Sequence, residues 1–71
     1  MPHKTVGNRL REVRENKGWT QARLAEEVGV ARQSIISIEK GRFLPTIETA
    51  LGISAALDHP LEELFWLKDE E

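Results

Sequence analysis

Residues 20–42 read TQARLAEEVGVARQSIISIEKGR. Thr20 is a good helix cap, because its hydroxyl accepts from a free N–H of the first turn. Trp19 just before it and Leu24 just after have the spacing of a hydrophobic staple. The helix predicted over about 21–28 gathers Leu24, Ala25 and Val28 on one face, and Gly29 ends it. Glycine enters the left-handed region without a Cβ penalty, so the chain turns at once. A second helix runs from Ala31 or Arg32 to Lys40, and Gly41 ends it. Its apolar stripe is Ile35 and Ile38, with Val30 plugging the turn. Two helices joined by so short a turn cross closely, and Ala25 supplies the small side chain the crossing needs.

The flanks continue the helical pattern. Residues 8–16 carry Leu10 and Val13 on one face of an amphipathic helix that Gly18 ends. Leu44-Pro45 is an extended connector. Thr46 caps a fourth helix, about 47–57, with Ile47, Ala50, Leu51, Ser54 and Leu57 expected inward. A fifth, short helix is expected from near Pro60 to near Phe65, proline suiting a first turn where its missing N–H costs nothing. The acidic tail, residues 68–71, is expected to fray. The fold class is all-α with five helices, in a single domain over residues 1–71.

Size and composition narrow the function. At 71 residues a single domain is expected, without a second, ligand-sensing one. There is no cysteine, and His3 and His59 stand apart, so no disulfide, metal site or cofactor is expected. No apolar run approaches the roughly 20 residues that span a bilayer. MPHKTVGNRL does not read as a signal peptide, and a cytoplasmic protein with no membrane partner is expected. The net charge is −2, but it is unevenly spread: residues 1–43 hold nine Lys/Arg against five Glu, and residues 44–71 hold one Lys against seven Asp/Glu. Local potential, rather than the total, steers a polyanion to a surface. The acidic pairs Glu26-Glu27 and Glu62-Glu63 lie on helix surfaces where solvated charge is the default. Neither a nucleophile–base set nor a phosphate loop is present, so an enzyme is not expected.

Gln21, Ala25, Gly29 and Ile35 follow one another with the spacing of a DNA-binding helix-turn-helix, placed over about 20–41. Thr20-Gln21, Leu24-Ala25, Gly29-Val30, Arg32-Gln33, Ile35, Ile38-Glu39 and Gly41 together resemble the lambda-repressor/Cro-like (Xre) family, short single-domain type, over about residues 6–67. The resemblance implies a transcriptional regulator that dimerises and inserts its third helix, about 31–40, into the DNA major groove. It also implies a short two-stranded sheet between His3–Val6 and Phe65–Lys68. Three residues depart from the family pattern. Ala31 stands where a capping Ser is usual, a loss of about 1 kcal/mol. Gly52 lies within a helix at a similar cost, and Asp58 replaces a glycine after the fourth helix.

Helical period assigns the outward strip of the third helix to Arg32, Gln33, Ile36, Ser37 and Lys40. Arg32 suits guanine O6 and N7, Gln33 suits adenine N6 and N7, and Ile36 suits a thymine methyl. Ser37 serves as donor or acceptor. Gln21 opens the second helix, whose free N–H groups attract phosphate; in the family the matching Gln also braces the recognition-helix Gln, here Gln33. Lys40, Arg42 and the helix start at Thr46 are candidate phosphate contacts. Arg23 reads at least as well as a solvated partner of Glu27. Arg14 and Glu39 occupy family positions that pair beneath the third helix as a structural ion pair.

Residues 61–67, LEELFWL, are too apolar for a free end. Ile53, Leu61, Phe65, Trp66 and Leu67 are therefore expected at a homodimer interface. The expected function is a homodimeric repressor reading an inverted repeat in double-stranded DNA. The alternative is an antitoxin-type or restriction-controller DNA-binding protein that also binds a partner protein.

Overall fold

The structure, a computed structural model, describes residues 3–70 and the side chains of 5–69. Seven elements follow in order: β1 (His3–Asn8), α1 (Leu10–Asn16), α2 (Gln21–Val28), α3 (Arg32–Glu39), α4 (Ile47–Leu57), α5 (Leu61–Leu64) and β2 (Phe65–Glu70). The strands pair antiparallel, with Asn8 opposite Phe65, Val6 opposite Leu67 and His3 opposite Glu70. This sheet is longer than the resemblance implies. The expected fraying of residues 68–71 does not hold for Lys68–Glu70, which lie in β2; Glu71 is outside the described residues.

Local chemistry sets the boundaries. Thr20 accepts from the Arg23 N–H and Thr46 from the Thr49 N–H, each closing a first turn. Gly29 ends α2 at φ 85°, a conformation an L side chain adopts only at a cost. Ala31 makes no side-chain cap to α3. α1 starts at Leu10 rather than near residue 8, because Asn8 belongs to β1 and turns its Oδ1 onto the Leu10 N–H at 3.0 Å. α5 is a single turn, since Phe65 is already extended.

The core gathers Leu10, Leu24, Ala25, Ile35, Ile38, Ile53, Leu57 and Leu64, with Val13, Trp19, Val28, Val30, Ala56 and Phe65 packed around it. α4 is rotated from the expected phase. Ile53 and Leu57 face inward, while Ile47 and Leu51 are 79% and 53% exposed. At about 100° per residue, Leu51 stands roughly 160° around the axis from Ile53, so the two cannot share a core. Ile53 is therefore withdrawn from the dimer interface: it is fully buried within one chain. Trp66 folds across the sheet onto Gly7, where an added Cβ would lie 2.8 Å from the indole nitrogen. The Arg9 guanidinium sits 5.0 Å from the centre of the Trp66 ring, a cation–π arrangement that helps hold the indole there.

Asp58 occupies the left-handed region at φ 51°, ψ 50° after α4. That conformation costs a side-chain-bearing residue on the order of 1 kcal/mol relative to glycine. Asp58→Gly is expected to raise the melting temperature by a few degrees, about what 1 kcal/mol yields for a domain of this size. A lower melting temperature for the variant would contradict this reading of the turn.

Candidate nucleic-acid interface

The helix-turn-helix stands on a polar platform beneath α3. The Arg14 side chain is 8% exposed and that of Glu39 4%. Arg14 Nε donates to Glu39 Oε2 at 2.6 Å and Arg14 Nη2 donates to Glu39 Oε1 at 3.2 Å. A third bond runs from Arg14 Nη1 to the Trp19 carbonyl at 2.8 Å. Gln21 Nε2 donates to Glu39 Oε1 at 3.1 Å. One carboxylate thus ties α1 and the start of α2 to the last residue of α3. Planar fork-to-fork bonding fixes orientation as well as distance. It also takes Glu39 out of the surface field, where its charge would repel phosphate.

Gln21 therefore leans on Glu39 and not on Gln33, as the resemblance implied. Gln33 Nε2 instead approaches Ser37 Oγ at 3.4 Å, one turn along the same helix. Arg23 is doubly engaged, with Nε 3.0 Å from Glu27 Oε2 and its guanidinium 4.4 Å from the Trp19 ring centre. Arg11 pairs with Glu15 at 3.0 Å; the hydrogen bond first, and the carboxylate charge second, raise its pKa.

With Ile35 and Ile38 sunk in the core, α3 leaves Arg32, Gln33 and Lys40 exposed and Ile36 and Ser37 partly so. Two shallow clefts flank this strip. One brings Gln21 and Arg32 together with Thr20, Ala22 and Arg11. The other brings together Gln33, Ser34, Ser37, Arg42 and Phe43. Lys40 and Thr46 line neither cleft. The Thr46 hydroxyl is occupied as a cap, which leaves the backbone N–H groups of the first α4 turn as the donors at that end. Sequence reasoning misses Phe43, which is 51% exposed beside Arg42; the available signal is an aromatic residue between the end of α3 and Pro45 with no core position to fill.

The C-terminal end of α3 is closed by two backbone bonds, Gly41 N–H to the Ile38 carbonyl at 3.0 Å and Arg42 N–H to the Ser37 carbonyl at 3.0 Å. That is the Schellman arrangement, and it fixes where Lys40 and Arg42 leave the helix.

A further stretch of surface, beginning at Leu44 just past Phe43, is apolar. Val6, Leu44, Pro45, Ile47, Ala50, Leu61, Phe65, Trp66 and Leu67 line one open groove, rimmed by Glu62. Leu67 is 67% exposed, whereas Leu61 and Phe65 are half-buried. Among the described residues, no cluster of side chains could hold a metal, and no helix is long and apolar enough to cross a membrane.

Comparison with known proteins agrees with this geometry. The helix-turn-helix family model HTH_3 matches residues 10–64. An uncharacterized HTH-type transcriptional regulator of Bacillus subtilis, YgzD, is 41% identical over 63 residues, covering 89% of this chain and 96% of its own. Among solved structures, the restriction-modification controller protein C.AhdI from Aeromonas hydrophila superposes with a TM-score of 0.74 at 34% identity, over 78% of this chain and 83% of that one. The biofilm master regulator SinR in complex with DNA gives 0.71 at 34% identity, over 76% and 87%. The chain belongs to the HTH_3 family, the lambda-repressor/Cro-like (Xre) class of non-enzymatic, DNA-binding transcriptional regulators.

Proposed function

We propose that the protein is a homodimeric repressor that reads an inverted repeat in double-stranded DNA through the major groove. The observation that carries this reading is the α3 strip: Arg32, Gln33, Ile36 and Ser37 face outward on a helix whose inner face is sealed in the core. Arg32 and Gln33 have the paired donors and acceptors that discriminate guanine and adenine edges. Ile36 covers a thymine methyl and Ser37 adapts to either neighbour. Gln21, Lys40, Arg42 and the first turn of α4 after Thr46 hold phosphates on either side and set the register. A second copy covers the apolar groove, through Leu61, Phe65, Trp66 and Leu67 together with Leu44 and Ile47. A two-fold axis there presents two recognition helices to successive major grooves, with half-site centres about 34–36 Å apart.

Selection of bound duplexes from a random pool is expected to yield a short inverted repeat. Recovery of no preferred sequence would count against the reading. Binding should also weaken steeply with salt, since each Lys or Arg on a phosphate releases condensed counterions. Lys40→Ala and Arg42→Ala are each expected to weaken all sequences alike and to reduce the salt slope by about 1 for each phosphate no longer neutralised. A changed base preference in either variant would contradict the phosphate assignment.

A further inference from the structure

Asn8 does something the helix-turn-helix pattern does not account for. Its Oδ1 accepts from the Leu10 N–H at 3.0 Å, and its Nδ2 donates to the Ile38 carbonyl at 3.2 Å, thirty residues along the chain. The first partner is a free donor at the start of α1. The second is one of the last carbonyls of α3, which also accepts from Gly41. Helix ends leave such groups without intrahelical partners. One carboxamide therefore caps the start of one helix and the end of another. A carboxamide is suited to this because it carries a donor and an acceptor on one rigid plane. Asn8 is also the last residue of β1, paired with Phe65 of β2, and the next residue, Arg9, donates its N–H to the Leu64 carbonyl.

We propose that Asn8 is a positioning residue for DNA binding, locking the C-terminal end of the recognition helix to α1 and to the sheet. Two adjacent residues of α3 are then held by independent means: Ile38 by its main chain through Asn8, and Glu39 by its side chain through Arg14 and Gln21. The segment that follows at once carries Lys40 and Arg42, whose placement depends on the angle at which α3 ends. Asn8 makes no base contact in this account; it acts through the helix end. The inference rests on the DNA reading above.

The test is Asn8→Ser, compared with wild type on a duplex that wild type has selected. A serine hydroxyl still accepts from an N–H two residues on, adds no charge, and is too short to reach Ile38. The variant is expected to keep its helical circular dichroism and a melting temperature within a few degrees of wild type. It should bind the duplex about ten-fold more weakly and with a shallower dependence of log K on log salt. Full affinity with an unchanged slope would overturn the proposal. So would a loss that matches the unfolded fraction, because Asn8 would then serve the fold alone. An independent measurement uses the wild-type chain: the side-chain amide resonances of Asn8 should shift as DNA is added, and resonances that stay in place overturn the coupling. If wild type itself selects no duplex, the DNA reading fails rather than the role of Asn8.

Discussion

Glu39→Ala is expected to cost about 3–5 kcal/mol of stability, the usual penalty for stranding one partner of a buried ion pair. The residue left behind is Arg14, 7% exposed, a guanidinium then buried without its carboxylate. Glu15 lies 3.9 Å from Arg14 Nη2 but is half exposed, so it is a poor replacement. Gln21 loses its acceptor in the same step. Against a total of about 5–15 kcal/mol for a typical domain, the variant should be largely unfolded or close to it in mild urea. Replacing both partners, Arg14→Met with Glu39→Leu, should be far milder, because no charge is then left buried. Urea unfolding of the two variants checks this directly. A loss below about 1 kcal/mol for Glu39→Ala, the range of a solvated surface pair, would mean that the pair is not buried as the fold requires.

Placing aspartate at the apolar groove should have an equally large effect, on assembly rather than folding. Ile47 and Leu67 are 79% and 67% exposed in the single chain, so Ile47→Asp and Leu67→Asp should leave the monomer fold intact. Both should shift the protein from dimer to monomer in sedimentation. Phe65 and Trp66 are less clean choices: Phe65 packs on the core and Trp66 covers Gly7, so charging either one also disturbs the chain itself. Without the second half-site the gain from bivalent binding disappears, about 10²-fold or more on a full inverted repeat. For Leu67→Asp, binding to unrelated DNA should fall much less; Ile47 opens the α4 turn assigned to phosphate, so an aspartate there should weaken that binding as well. An unchanged dimer would move the interface elsewhere, and a wild-type protein that stays monomeric would remove the two-fold model.

The parts of the fold that depend on local chemistry are legible in the sequence. Thr20, Gly29 and Thr46 announce helix ends through groups within three residues of themselves, and Ile35 and Ile38 mark the inner face of α3 by period alone. The misreadings share one cause, which is that they turn on partners distant along the chain. α4 offers apolar side chains on several faces, with Ile47, Leu51, Ile53 and Leu57 all available, and only packing against α2 and α5 decides its rotation. Lys68, Asp69 and Glu70 look like a solvated tail until β1, some sixty residues earlier, pairs with them. Asn8 reads as the start of a helix, and nothing near it in sequence reveals the carbonyl of Ile38. The Arg14–Glu39 pair is likewise distant, but two family positions point to it. The strip on α3 needs no tertiary information, since its outward face follows once its inward face is known.

That strip can be tested by one comparison: Gln33→Ala against wild type, on a set of operators each changed at a single symmetric pair of positions. Gln33 is exposed, so helicity and stability should be unchanged. A bidentate contact discriminates between bases by about 1–3 kcal/mol. The variant should therefore lose preference at one symmetric pair of positions, keep it at all others, and retain its salt-dependent binding to unrelated DNA. Equal losses on every operator would mean that Gln33 only positions the protein, and no loss on any of them would mean that this face of α3 does not read the bases.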